Sequence, residues 1–219
     1  MREGEPHLDI KTVEREKVEK IESASIRVDD KVTLLLLKAG AKPAGETEII
    51  SEQWKEGEKP KHIDKSYMEN IERFLQDLEL PFEIARAKIE TKGDGKKFES
   101  INIFAGKDKE SLDKLMSAKT PEEFGKAYGY PDQSIDAFKD QENSMMAWEL
   151  PDEVKQSDFY SFIMYRLSKD NWQQEIETAK LWAETVKANS PKIFEEYSEF
   201  IRSAHSANER DLMQQKVEK

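Results

Sequence analysis

The sequence predicts an α+β protein in which a small, mainly antiparallel sheet packs on helices and the C-terminal half is helical. Three observations carry this prediction. Segments 81–90 and 96–105 alternate apolar and polar residues and flank Lys92-Gly93-Asp94-Gly95, a stretch whose Gly and Asp tolerate the positive φ of tight hairpin turns. Val32 to Leu37 is a near-continuous apolar run, as in a strand covered on both faces. From residue 108 onward the chain repeats helix-start signals, among them Thr120-Pro121-Glu122-Glu123, Pro151-Asp152-Glu153 and Ser190-Pro191, each followed by apolar residues at helical spacing.

Taken in chain order, residues 1–24 form a polar lead-in with a thin helical stripe at Ile10, Val13, Lys17 and Ile21. Residues 25–38 are expected as strand, with Val32 to Leu37 central and a possible turn at Asp29-Asp30. The stretch 39–64 carries Gly40, Pro43, Gly45, Gly57 and Pro60 and is expected to be a long loop, a natural place for a site. Lys65 to Leu78 reads as a helix burying Met68, Ile71, Phe74 or Leu75, and Leu78. After the hairpin, Asp108 caps a helix to Ser117, and the helix begun at Thr120 stops near Gly129. Pro131 opens the next, with Ile135 and Phe138 inward. A longer helix from Pro151 is expected to bury Phe159, Phe162, Ile163 and Leu167, followed by one from Asn171 carrying Trp172, Ile176, Ala179, Ala183 and Val186. The helix from Ser190 presents Phe194, Tyr197 and Ile201, and residues 207–219 are expected to fray. The whole is expected as one domain over 1–219, with a lead-in (1–24), a sheet-containing part (25–145), a helical part (150–206) and a tail (207–219).

The 219 residues hold 35 Lys or Arg and 46 Asp or Glu, a net charge of −11, which argues against nonspecific binding to nucleic acid because that binding needs cations on phosphates. The intermixed Lys and Glu read as a solvated surface. With no apolar run long enough to span a bilayer and no apolar segment near Met1, the expectation is a soluble, cytoplasmic protein without a membrane role. The chain has no cysteine, which excludes disulfides, thiolate metal sites and cysteine nucleophiles.

Few residues point to chemistry. His7, His62 and His205 lie in separate segments; His62 and Asp64 have the spacing of two ligands on a strand face but lack a third, so no metal and no cofactor are expected. Phe104-Ala-Gly-Lys-Asp-Lys-Glu-Ser-Leu112 has strand–Gly–helix order, and Lys107 with free amides there suits an anion, against the simpler reading of an Asp-capped turn. Acidic pairs such as Glu122/Glu123 discriminate nothing in a chain with 46 acids. The C-terminal aromatics read first as core.

The most distinctive stretch is Phe124 to Phe138, whose kernel is Gly129-Tyr130-Pro131 followed by Ile135 and Phe138. It resembles an uncharacterised prokaryotic family, a domain of unknown function, with a Gly-Tyr-Pro-x-x-x-Ile-x-x-Phe motif. That group often carries two cysteines where Gln133 and Ser134 stand here, so the resemblance implies no thiol or metal chemistry for this chain and no known activity. Read from the residues, Gly129 ends one helix, Pro131 begins another, and Tyr130, Asp132, Gln133 and Ser134 surround a helix start. The candidate ligand-binding set is therefore Tyr130, Asp132, Gln133, Ser134, Lys107 and His62. No catalytic residue is assigned. The leading expectation is a non-catalytic binding or interaction protein with a protein or small-molecule partner. The alternative is a small-molecule enzyme with its site between the 39–64 loop and the Gly129-Tyr130-Pro131 corner.

Overall fold

A computed structural model describes residues 10–55, 65–85, 89–91 and 96–217. It is an α+β structure with a small antiparallel sheet and a helical C-terminal half. The chain divides into two compact units: one spans Val13–Gly129, and the other takes Tyr130 onward together with the described residues before Val13. No helix of the described residues is long and apolar enough to cross a membrane.

The Val13–Gly129 unit begins with α1 (Arg15–Ser23) and α2 (Val28–Lys38). The second corrects the sequence expectation, because the segment expected as the central strand is helical. An apolar run of this length cannot tell a buried strand from a buried helix. The leucines favour helix, Asp29 and Asp30 complement the positive N-terminal end of its dipole, and Lys38 complements the other. Leu34, Leu35 and Leu36 are wholly buried, so the Val32–Leu37 stretch of this helix is covered on all sides. Gly40, at φ 73°, ends it by turning the chain left-handed, and the Ala41 and Lys42 amides fold back onto the Leu36 carbonyl.

The stretch expected as the long 39–64 loop holds instead the longest strand, β1 (Ala44–Lys55). It pairs antiparallel with β4 (Lys96–Gly106), whose other edge takes β2 (Phe82–Ala85) and β3 (Ile89–Thr91). The expected strands at 81–90 and 96–105 are thus present; the turn at Gly93 and Gly95 lies outside the described residues. Helix α3 (Lys65–Asp77) precedes β2 and buries Ile71 and Leu75 as the spacing predicts.

Side chains alternate across a strand, and paired residues share a face. One face therefore carries Gly45, Ala105 and Phe82 in one row and Thr47, Ile103 and Ile84 in the next. Helix α2 covers it so closely that a Cβ on Gly45 would lie 2.4 Å from Thr33 Cγ2. The opposite face carries Ala44 and Phe104, which pack with Leu115 of α4 (Lys109–Ser117) and Phe124, Ala127 and Tyr128 of α5 (Pro121–Tyr128). The sheet end near Ala44 is thus sandwiched between helices. Both helices are capped as expected: Asp108 accepts from the Ser111 amide at 2.8 Å, and Thr120 and Glu123 form a reciprocal capping box. Gly129, at φ 77°, ends α5, and a Cβ there would meet the Pro43 ring at 2.6 Å.

The second unit contains α6 (Asp132–Lys139), the strand pair β5 (Ser144–Met145) and β6 (Leu167–Ser168), α7 (Asp152–Lys155), α8 (Trp172–Asn189) and α9 (Pro191–Val217). Here the long helix expected from Pro151 is absent: α7 is four residues long, and Phe162, Ile163 and Leu167 are buried from a tight 3-10 turn and β6 instead. Phe138, expected inward, is 53% exposed, because α6 buries Ser134, Ile135 and Ala137. Helices α8 and α9 meet at Ser190, whose hydroxyl accepts from the Ile193 amide at 3.1 Å with Pro191 in the first helical turn. Phe162 stacks on Phe194 at 5.6 Å and meets Tyr197 edge-on at 5.1 Å. The Asn189 side chain reaches the Lys11 carbonyl at 3.3 Å. Helix α9 is continuous to Val217, through the segment expected to fray.

Candidate functional site

Two polar constellations stand out, one in each unit. The first is built on Glu175, in the first turn of α8 and 1% exposed. A carboxylate is acceptor-only when ionised and expensive to bury without donors. Three donors reach it here. The Ser134 hydroxyl and the Ser168 backbone amide each donate to Oε2 at 2.9 Å, and the Ser168 hydroxyl donates to Oε1. The Ser168 oxygen in turn accepts from the Asn171 amide at 3.0 Å, just before α8. Tyr165 closes the group by donating its hydroxyl to the Glu175 carbonyl at 2.6 Å. Its ring lies 5.4 Å from Tyr130 and 6.0 Å from Trp182, and burial pushes the phenols of Tyr130 and Tyr165 above their ordinary range. The arrangement pins α6, β6 and α8 together through one side chain.

The second constellation surrounds Lys42, in the connection from α2 to β1 and 5% exposed. Its Nζ lies over the Tyr128 ring at 5.7 Å, a cation–π distance. The Tyr128 hydroxyl bonds Glu46 Oε2 at 3.2 Å in an exposed position. Burial lowers the Lys42 ammonium to about 8.

The residues singled out from sequence fall as follows. Ser134 is buried and spent on Glu175, while Tyr130 packs among Tyr165 and Trp182. Asp132 and Gln133 are exposed in the first turn of α6. Lys107 is an exposed side chain in the other unit, where its amide donates to the Pro43 carbonyl at 2.8 Å. Close by, Asp108 occupies the Ser111 amide, which holds its carboxyl below the usual range, and Lys109 pairs with Asp113 at 2.7 Å. The capped-turn reading thus describes this helix start. His62 lies outside the described residues. Among the described residues no three His, Asp or Glu side chains group as metal ligands would.

Sequence reasoning missed Glu175, Ser168, Tyr165 and Lys42. Glu175 had a signal: it falls in phase with Ala179, Trp182 and Val186 on the apolar face of α8, where an acid must find donors. Lys42 had none, because its burial follows from α2 being helical. Comparison of the chain with protein-family models, curated proteins and solved structures finds no match.

Proposed function

We propose that this is a non-catalytic binding or interaction protein whose contact surface lies on the unit from Tyr130 onward. The observation that carries the reading is the exposure of three large aromatics on that unit: Phe138 at 53%, Trp148 at 39% and Phe200 at 46%. Exposed aromatics are the side chains that anchor protein interfaces, where they bury much area at little rotamer cost. Ser134, Ser168 and Glu175 of the same unit satisfy one another, which supports a scaffold role for these three. A net charge of −11 favours a protein partner with a basic face and disfavours phosphate backbones.

The test is site-specific photo-crosslinking from positions 138, 148 and 200, with Met116, a 47% exposed side chain of the other unit, as control. The expected result is one protein captured from the three aromatic positions, absent from Met116, and lost when the other aromatics are changed to Ala. Identical capture from all four positions would defeat the reading. The alternative is a small-molecule enzyme, and the buried amine of Lys42 is the observation that favours it.

A further inference from the structure

We propose that the sheet face opposite α2, at Phe104 between Glu46 and Glu83, docks an arginine side chain presented by a basic segment of a partner protein. This surface lies on the Val13–Gly129 unit, so its test stands apart from the aromatics of the other unit.

The two faces of the sheet are covered unequally. On the α2 side, Ile101, Ile103 and Ala105 of β4 are all buried. On the opposite face coverage fades along the strands. The row of Ala44 and Gly106 is closed: Ala44 is wholly buried, and α4 comes so near that a Cβ on Gly106 would lie 2.6 Å from the Leu112 amide nitrogen. In the next row Phe104 stands between its two strand partners, Glu46 of β1 and Glu83 of β2, and it is half-buried while both acids are exposed. In the row beyond, Asn102 is half-buried and Ala85 is exposed. Among the described residues, α4 and α5 thus close the end of this face at Ala44 and leave it open from Phe104 onward.

Charge decides what fits there. Two carboxylates flank one aromatic side chain, and two strand spacings put their backbones roughly 10 Å apart. The face of an aromatic ring attracts a cation, and flanking carboxylates add to that attraction. Glu46 is oriented by the Tyr128 hydroxyl, which donates to its Oε2 at 3.2 Å. Glu83 forms no ion pair among the described residues, because Lys109, the cation near it, is bound to Asp113 at 2.7 Å. Lys107 and Lys126 are exposed and pair with neither acid. Phe104 packs on the same apolar cluster as Tyr128, whose ring already has the buried Lys42 ammonium over it at 5.7 Å. Arginine suits the row better than lysine. Its planar guanidinium stacks on a ring and offers N–H donors at both edges, one edge to each carboxylate, whereas an ammonium is a point charge. A second copy of this chain does not suit, because two such faces would set carboxylate against carboxylate.

The experiment titrates the intact protein at low salt with an acetylated peptide amide of three Gly-Arg repeats and follows backbone amide shifts by NMR. The largest shifts are expected at Glu46, Phe104 and Glu83. Glu46→Gln with Glu83→Gln, two exposed changes of nearly equal shape, should weaken binding at least about fivefold and leave the melting temperature unchanged. Glu195→Gln with Glu196→Gln, the same loss of charge on exposed positions of α9, should weaken it less than about twofold. Phe104→Leu, which stays apolar toward Leu115, should lessen the preference for this peptide over one of three Gly-Lys repeats. Equal weakening by the two glutamate pairs, shifts spread evenly over the exposed acids, or equal affinity of the wild type for the lysine peptide overturns the inference. Absence of binding at millimolar peptide overturns it as well.

Discussion

The Val13–Gly129 unit buries an amine, Lys42, against an aromatic ring, and the unit from Tyr130 onward buries a carboxylate, Glu175, among hydrogen-bond donors. Around Glu175, two hydroxyl donors and a backbone amide converge on the carboxylate, and the group joins three elements. Around Lys42, an aromatic ring stands against the amine and burial works against its charge. The difference has an architectural cause. The first unit has a sheet with helices on both faces, so apolar layers carry much of its packing. In the second, short pieces, α6, β5, β6 and tight turns, pack beside the long helices α8 and α9, and each short piece contributes few residues. Such pieces need directional bonds to fix their register, and a satisfied buried polar group supplies them.

Core truncation gives the largest expected effects and tests whether both units rest on packing. Trp182, wholly buried between Tyr130 and Tyr165, should cost about 3–5 kcal/mol on mutation to Ala. Leu35→Ala in α2 should cost about 2–5 kcal/mol. Urea melts of both variants would check this. A Trp182→Ala loss below that of an ordinary surface change would show that the Glu175 network holds its unit without the aromatic layer.

Alkaline pH should pull the two units in opposite directions. Lys42 has a folded-state value of about 8, below the unfolded value. Between those two values the unfolded chain keeps a proton that the folded one has released, so stability rises with pH there. Wild type should therefore gain roughly 2–3 kcal/mol on Lys42→Met between pH 7 and pH 10. Tyr130 and Tyr165 are held above their ordinary range by burial. Above about pH 10 the unfolded chain loses phenolic protons that the folded chain retains, so stability falls. A difference between wild type and Lys42→Met that stays flat from pH 7 to pH 10 would mean that the amine is not desolvated.

The next effect is smaller and local to Glu175. Ser134→Ala removes one donor from Oε2 and leaves the Ser168 amide in place, so a loss of about 1–2 kcal/mol is expected. Ser134→Cys, with a weak donor of similar size, should recover part of it. Equal stability of wild type and Ser134→Ala would show that the carboxylate does not need the α6 contact.

Local signals in the sequence proved readable wherever a residue acts through its own neighbours. Asp108, Thr120 with Glu123, Gly129 and Ser190 all do at their helix ends what their types imply. The β2–β4 pairing is visible as alternation on either side of a Gly-containing stretch of the sequence. What failed depends on partners distant in sequence. The run Val32 to Leu37 looks alike as buried strand or buried helix, and only Asp29-Asp30, Lys38 and Gly40 at its ends favoured helix. With that segment read as strand, the strand at Ala44–Lys55, rich in Glu and carrying Gly45, reads as loop. Lys42 then had no visible reason to be buried. In the second unit, Phe159, Phe162 and Leu167 share helical spacing by coincidence, and a 3-10 turn and a short strand place the latter two inward instead. Ser134 is singled out as a ligand-binding candidate by its place after Gly-Tyr-Pro, whereas its hydroxyl is bonded to Glu175, 41 residues away.

The smallest expected effect decides most about the Gly-Tyr-Pro corner. From helical spacing alone, Phe138→Ala should be a severe core truncation, because Ile135 and Phe138 lie three residues apart. In the structure Ile135 is 6% exposed and Phe138 is 53% exposed, so they do not share a buried face. Ser134 takes the inward position instead, drawn by Glu175. The ring already keeps about half its surface in water, and its removal leaves no closed cavity. Phe138→Ala should therefore shift stability by no more than about 0.5 kcal/mol. The same change should remove crosslinking at the aromatic surface of that unit, because an interface anchor loses contact area while the free protein loses little. Ile135→Ala is the internal contrast and should cost about 2–4 kcal/mol by transfer and cavity terms. Melting of both variants beside the capture experiment separates the possibilities. A severe Phe138→Ala would return the residue to the core and remove one of three aromatics from the proposed surface. A mild Phe138→Ala with undiminished capture would leave the ring as an exposed aromatic without a partner, and the interaction reading would then rest on Trp148 and Phe200.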